Sequence, residues 1–283
     1  MVVQHNLTAM NANRMLGITT SQQAKQTEKL SSGYRINRAA DDAAGLSISE
    51  KMRRQIRGLD QASTNAQDGI SMVQTAEGAL NEVTDMLQRM NELSVQAANG
   101  TYTTTQKQYI ADEINQLASE INRVATTTKF NDQVLLTGKY EAASSGMKLQ
   151  IGNESGETMD VNISSMKATD IVSGSYLSGS LDWTASTVDA DTVGAFIDAL
   201  KTGMEKVASQ RSALGAIQNR LDHTINNLDN VVENTTAAES RIRDTDMATE
   251  MVKYSNNQIL AQAGQAMLAQ ANQVNQGVLS LIQ

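Results

Sequence analysis

Residues 59–90 read LDQASTNAQDGISMVQTAEGALNEVTDMLQRM. Stepping through this stretch alternately by three and four residues selects Leu59, Ala62, Ala66, Gly69, Val73, Ala76, Leu80, Val83, Leu87 and Met90. Every one is small or apolar, so a seam with a 3.5-residue period runs for more than four heptads. A helix over about 45–98 would be roughly 80 Å long at 1.5 Å per residue. That exceeds the width of an ordinary domain, and the spacing predicts a rod. The chain has no proline, so nothing in it removes an amide or kinks such a helix.

Outward from this stretch, Asn99-Gly100 supplies a helix stop, because glycine accepts the left-handed conformation that closes a C-terminus. Thr105 followed by Gln108 resembles a capping box that opens a second helix to about Thr128, antiparallel to the first. In a third helix, about 190–238, Leu200, Val207, Leu214, Leu221 and Leu228 sit seven apart. Met204, Ile217, Ile225 and Val231 fill the companion column. The expected rod seam therefore sets Leu59, Val73, Leu80 and Leu87 against Leu214, Leu221 and Leu228. Between the helices, Met147, Leu149 and Ile151 alternate with polar neighbours, as do Met159, Val161 and Ile163. The turn-forming GNESGET (152–158) lies between them and predicts a β-hairpin. Residues 164–190, rich in Ser, Gly, Thr and Asp and holding the lone Trp183, read as loop.

The two chain ends differ from this pattern. From Tyr254 to Gln283 there is no charged residue, yet the segment is too rich in Gln and Asn to enter a membrane. Leu260, Met267, Val274 and Leu281 repeat every seven, joined by Ala271 and Val278. Leu7, Met10, Leu16 and Leu30 make a looser apolar set on residues 4–32. Both ends read as amphipathic helices without evident cover, and lone helices are marginal in water. Amide faces are buried at acceptable cost when hydrogen-bonded, whereas charges are not. The economical reading is that the ends are loose in the monomer and pack only in an assembly.

The composition narrows the function classes. Nine aromatic residues among 283, and an apolar share of 40% inflated by Ala, suit long helices with thin seams better than a thick core. The net charge of −8 hides a basic N-terminal fifth, with nine Lys or Arg against four acids in residues 1–57. With no aromatic nearby, the run EKMRRQIR (50–57) reads as a solvated helix face and not as a nucleic-acid site. Without cysteine the chain has no disulfide framework. The opening residues lack the features of a cleaved signal, and no stretch approaches the 18 or so apolar residues of a membrane span. The expectation is a chain that stays in the cytoplasm or leaves by a route that reads no cleaved signal.

Chemistry is absent from the sequence. Only His5 and His223 exist, and no HExxH, P-loop or GxGxxG motif occurs. Asp41-Asp42 and Asp244-x-Asp246 read as helix N-terminal charges bridged to Arg38 or Arg243, in preference to a cation site. Met86, Met90, Met247, Met251 and Met267 read as seam packing. No catalytic, cofactor-binding or metal-ligating residue is expected, and no enzyme.

Residues 30–80, LSSGYRINRAADDAAGLSISEKMRRQIRGLDQASTNAQDGISMVQTAEGAL, strongly resemble the N-terminal region of bacterial flagellins. SRIRDTDMATEMVKYSNNQILAQAGQAMLAQANQVNQGVLSLIQ (240–283) resembles their C-terminal signature, and LQRMNELSVQAANGTY (87–102) extends the match. One departure is FNDQVLL (130–136), where Asp132 stands in place of the family's usual Gly. The resemblance implies a mainly α protein: a coiled-coil-like rod, a terminal helix pair and a small β-hairpin. It divides the chain into a core N-terminal helix (1–42), rod helices (43–140), a hairpin with a short variable segment (141–189), a rod C-terminal helix (190–243) and a core C-terminal helix (244–283). Outer domains, and the enzymatic insertions of a few relatives, have no room here.

What the resemblance implies about function is a structural subunit of the flagellar filament, serving motility as a helical homopolymer. It would be exported unfolded by the flagellar type III system and secreted to the extracellular flagellum. Leu7, Met10, Leu16, Leu260, Met267, Val274, Val278 and Leu281 would seal the filament core. The implied partners are other copies, an export chaperone on the C-terminal helix, the hook–filament junction and cap proteins, and a vertebrate Toll-like receptor reading Arg89, Leu93 and Glu113. The small stretch Ala62, Ala66, Gly69 would permit sliding contacts as the filament changes shape. Two alternatives stand beside this reading: the junction protein itself, and a membrane-active helical protein. Against the latter, the polar faces are rich in Gln and not in Lys or Arg.

Overall fold

The computed structural model describes residues 6–141, 146–172 and 190–280, with residues 190–191 and 274–280 described by their backbone alone. The helices are α1 (Leu7–Ser32), α2 (Ala43–Ala98), α3 (Thr104–Thr127), a single turn α4 (Ala168–Ile171), α5 (Ala190–Arg243) and α6 (Met247–Ser280). Two small antiparallel sheets accompany them, β1 (Lys129–Phe130) with β2 (Gln133–Val134) and β3 (Met147–Gln150) with β4 (Thr158–Val161). The fold is mainly α, as the periodicity implies. It forms two compact units, Met1–Ile56 with Glu233–Gln283, and Arg57–Val232.

The second unit is built on the seam of α2. Ala62, Ala66, Val73, Ala76, Leu80, Val83, Leu87 and Met90 are almost wholly withdrawn from solvent. From Val73 to Met90 they pack with Ile110, Ile114, Ile121 and Ala125 of α3 and with Phe196, Leu200, Val207 and Leu214 of α5 in one continuous core, while Ala62 and Ala66 belong to two smaller clusters. Leu59 and Leu228 are buried together at one end, and Leu221 joins Ala66 and Met159 in a second cluster. A single large-to-small change in such a core typically costs about 2–5 kcal/mol, because the neighbours only partly collapse into the space.

The hairpin β3–β4 explains the small residues at 62–69. Leu149, which pairs with Met159 across the hairpin, rests against α2 so closely that a Cβ on Gly69 would lie 2.5 Å from its Cδ1. Leu221 of α5 approaches the same glycine from another side. Ala66 and Gly69 thus make room inside one chain for a three-way junction of helix, hairpin and helix. The sliding role expected for this stretch gives way to an intramolecular one, since Ala62 and Ala66 have no surface left to slide on.

Three local expectations shift. The capping box that opens α3 uses Thr103 and Gln106, not Thr105 and Gln108. The Gln106 amide N–H donates to Thr103 Oγ1, and the Thr103 N–H donates to Gln106 Oε1 at 2.9 Å. Thr103 and Thr105 both satisfy the cap preference and both have glutamine three residues on, Gln106 and Gln108, so the local pattern does not choose between them and the chain caps at the outer one. Helix α2 does end at Ala98, but Gly100 is not left-handed. The chain leaves through a turn in which the Tyr102 N–H donates to the Asn99 carbonyl and the Thr101 N–H to Asn99 Oδ1. In the stretch read as loop, Ala168 and Ile171 of α4 are buried, and the Ala168 N–H donates to Asn122 Oδ1 at 2.9 Å. Trp183 lies outside the described residues.

The β1–β2 hairpin has no counterpart in the sequence reading, since strands of two residues carry no alternation to detect. Its two-residue loop places Asn131 at φ 46° and Asp132 at φ 61°. Two successive left-handed residues match the twist of a tight hairpin, and Asn-Gly is the favoured pair. Asp132 holds the second position at a steric cost that glycine would not incur. Asp132→Gly is expected to stabilise the protein by roughly 0.5 kcal/mol, read as a higher urea midpoint with unchanged slope. A lower midpoint would show that Asp132 is held by more than the turn.

Candidate assembly face on the terminal helix pair

In the first unit the chain turns twice, and the two turns are stitched together. Gly33 ends α1 in the left-handed region at φ 75°, its N–H donating to the Lys29 carbonyl at 2.8 Å. The Thr245 N–H then donates to the Gly33 carbonyl at 2.9 Å and the Arg35 N–H to the Arg243 carbonyl at 2.7 Å, which makes Tyr34 and Asp244 a β-bridge. The Arg243 guanidinium lies 4.6 Å from the centre of the Tyr34 ring and pairs with Glu50 at 3.1 Å. With a side chain only 14% exposed, this arginine is the most enclosed cation among the unit's ion pairs.

One aspartate of each pair, Asp42 and Asp246, does the helix capping expected of it, while Asp41 and Asp244 bind groups that precede them in the chain. Asp42 accepts from the Gly45 N–H at the start of α2, and Asp246 accepts from the Ala248 and Thr249 N–H groups and the Thr249 hydroxyl at the start of α6. Asp41 accepts from the Arg38 and Asn37 N–H groups, and Asp244 from the Ser240 hydroxyl. Arg38 pairs with Glu28 and Arg243 with Glu50, so neither arginine bridges an aspartate as expected. The Thr249 hydroxyl, then the backbone amides of Thr249 and Ala248, hold the Asp246 carboxyl below the usual carboxylate range. The Arg38 and Asn37 amides do the same for Asp41.

α1 and α6 run antiparallel: Leu16 abuts Gly264, Asn257 Nδ2 donates to Gln26 Oε1 at 2.9 Å, and Asn6 Nδ2 donates to the Ala271 carbonyl at 3.0 Å. The residues drawn toward the pair step by three and four. On α6 they are Tyr254, Asn257, Ala261, Gly264, Leu268 and Ala271; on α1 they include Ala9, Ala12, Leu16, Thr19, Gln23 and Gln26. The seam is made mostly of small and amide side chains, with Leu16, Leu268 and Tyr254 half-buried among them. No residue of α1 is fully buried. The signal was available, since counting Ala, Gly and Asn as seam residues, as in α2, would have found it.

The large apolar side chains point elsewhere. Leu7 is 67% exposed, Met10 62%, Leu260 56% and Met267 65%, with Met15, Ile18, Val252 and Ile259 exposed as well. At 100° per residue, Leu7, Met10, Met15 and Ile18 centre roughly 150° from the α1 seam. Of the expected filament-core set, Leu16 alone of the described side chains lies in the seam. Leu7, Met10, Leu260 and Met267 each stay more than half exposed. Val274, Val278 and Leu281 lie outside the described side chains. Met247 and Met251, expected to pack, are exposed too, while Met90 is buried and Met86 half-buried. Met15, Ile18, Val252 and Ile259 escaped the sequence reading because it followed a strict seven-residue repeat, which an ideal helix drifts away from.

Among the described residues, twelve of the fourteen exposed large hydrophobic ones fall in this unit, and that concentration separates a face from the scattered apolar residues of any surface. In the second unit, Arg89 reaches across from α2 to Glu113 of α3 at 3.0 Å and to Glu92 at 3.3 Å. Hydrogen bonding to Glu113, and then to Glu92, raises its pKa. Leu93, grouped with them by the sequence reading, is 2% exposed and belongs to the core.

Among the described residues no cluster of His, Asp or Glu is placed to hold a metal ion, and no helix is long and apolar enough to cross a membrane. In a depression lined by Glu141, Ser164, Asp170, Lys206 and Gln210, Lys206 Nζ donates to the Asp170 and Ile171 carbonyls and Gln210 Nε2 to the Asn162 carbonyl. The candidate site is the exposed apolar surface of α1 and α6, the kind of face an assembling structural protein presents.

Comparison with known proteins agrees with that class. Residues 3–141 match the bacterial flagellin N-terminal helical region and residues 197–282 the bacterial flagellin C-terminal helical region. A flagellin of Halalkalibacterium halodurans is 51% identical over 282 residues, spanning all of both chains. The flagellar filament 31.3 kDa core protein of Treponema maltophilum is 48% identical over 289 residues, again spanning all of both. The crystal structure of Bacillus cereus flagellin shares 30% identity, covering 58% of this chain and 88% of that one, at a TM-score of 0.48. The chain belongs to the bacterial flagellin family, a family of structural filament proteins and not of enzymes.

The caps carry a pH dependence. A carboxylate whose folded pKa is depressed contributes stability that is complete above its unfolded pKa, near 3.9, and is lost as pH falls through the lower folded value. For Asp41 and Asp246 that window lies below about pH 4. Asp246→Asn keeps a good cap without the charge. Its melting temperature should therefore fall less than the parent's between pH 6 and pH 3, and an equal fall would exclude Asp246 as a source of acid lability.

Proposed function

We propose that this chain polymerises into the flagellar filament by burying the outward apolar faces of α1 and α6 against neighbouring copies. The observation that carries the reading is the inverted helix pair: mostly small and amide side chains inside, and ten of the large apolar ones exposed outside. Covering about ten half-exposed Leu, Ile, Met and Val side chains is worth on the order of 10 kcal/mol per subunit. That is enough to offset much of the cost of ordering a subunit at a filament end. Growth on an existing end covers more of these faces than pairing of two free subunits, so elongation outruns nucleation.

The finer parts of the reading follow from the same face and from the family. An apolar surface of this kind invites misassembly before export, which supports an export chaperone on the C-terminal helix and passage through the flagellar type III channel in an unfolded state. It supports an extracellular filament that begins on the hook–filament junction proteins and grows under a cap. The exposed Arg89–Glu113 pair supports recognition of the second unit by a vertebrate Toll-like receptor, with Leu93 setting the spacing of α2 and α3 from within the core.

Leu7→Ser combined with Ile259→Ser is expected to leave the monomer within about 0.5 kcal/mol of the parent per site. The pair should nonetheless abolish seeded polymerisation, judged by pelleting and negative-stain microscopy. Normal tubes from the double variant would sink the assembly reading. For the receptor, Arg89→Ala should weaken signalling about tenfold, roughly 1.4 kcal/mol, with monomer stability unchanged. Leu93→Ala should lower signalling and thermal stability together. Full signalling by Arg89→Ala would remove the receptor assignment.

A further inference from the structure

The sulfur atoms of this chain are divided between its two units. Met72, Met90, Met159 and Met166 are no more than 4% exposed and sit in the second unit. Met10, Met15, Met247, Met251 and Met267 are between 46% and 65% exposed, and all five lie on α1 and α6. Among the described residues no other methionine is exposed. There is no cysteine, so no thiol competes for an oxidant, and among the described residues these thioethers are the most accessible sulfurs in the unassembled chain.

We propose that these five methionines form an oxidation site at which a peroxide-class oxidant converts the unassembled subunit to an assembly-incompetent form. The inference rests on the assembly reading given above. In the step, the thioether sulfur attacks one peroxide oxygen, an S–O bond forms and the O–O bond breaks. The departing oxygen takes up the remaining proton and leaves as water, so sulfur loses two electrons to the peroxide and ends as the sulfoxide. An apolar, adaptable side chain becomes a polar acceptor. In the free subunit the new oxygen faces water, so folding is undisturbed. In a subunit contact it would be buried without a donor, which opposes the contact. Assembly itself shields the site, because the oxidant reaches these sulfurs only before neighbours cover them. The change is also reversible, since methionine sulfoxide reductases restore the thioether.

The test treats purified full-length monomer with dilute hydrogen peroxide, maps sulfoxides by peptide mass spectrometry and then seeds polymerisation. Met10, Met15, Met247, Met251 and Met267 should oxidise at least about tenfold faster than Met72, Met90, Met159 and Met166. The oxidised monomer should keep its melting temperature, need at least about tenfold more protein to polymerise, and recover after reductase treatment. A variant with all five changed to leucine should polymerise equally well with and without peroxide. Oxidised parent that polymerises normally, or a leucine variant that peroxide still blocks, overturns the proposal. Untreated parent that fails to polymerise under seeding overturns the assembly reading, and this inference with it. Selective oxidation with normal assembly overturns this inference alone.

Discussion

The contact between α1 and α6 is too thin to bury a large side chain, and the rest of the first unit follows from that. Ala261, Gly264 and Ala271 let two backbones come close, and Asn257, Gln26 and Asn6 fix the register with hydrogen bonds. Specific bonding at little depth gives a defined pairing with modest stability. Helices of 26 and 34 residues are thereby aligned without using up the apolar side chains they carry. Had Leu7 or Leu260 faced inward, the pair would be more stable and the outer face polar.

The stitched turns compensate for the weakness of that seam. Two backbone hydrogen bonds tie the exit of α1 to the entry of α6, and Arg243 fills the space beside them with a ring contact on one side and a carboxylate on the other. Capping carboxylates at the starts of α2 and α6 then satisfy amides that have no helical partner. None of these devices is strong alone, but all act at the chain reversals, where a loosely packed helix pair would otherwise fray.

The sequence disclosed the architecture more readily than the site. Long uninterrupted periodicity marked α2 and α5, and the alternation of Met147, Leu149, Met159 and Val161 marked the hairpin, because burial within one chain dictates both patterns. Cap positions slipped by two residues at α3, since several threonines satisfy the same local chemistry and only the tertiary path chooses among them. The β1–β2 turn was too short to carry a pattern. Gly69 was legible as a close approach, but not what approached it. That depended on the hairpin folding back over α2, a contact across about 80 residues of sequence.

The site was harder for a deeper reason. Apolar periodicity says that a helix face will be covered, not by which chain. In α2 the heptad positions meet α3, α5 and the hairpin of the same molecule, and in α6 Ile259, Leu260 and Met267 stay more than half exposed. The distinguishing signal is the size of the residues on the competing face. Where a second periodic set of Ala, Gly and amide residues runs beside the large one, the small set can pair within the chain and leave the large set for other chains. Where no such second set exists, the large residues are the core. By this rule Asn257, Ala261, Gly264 and Ala271 identify the inner face of α6, and Ile259, Leu260 and Met267 become the outer one without reference to any relative.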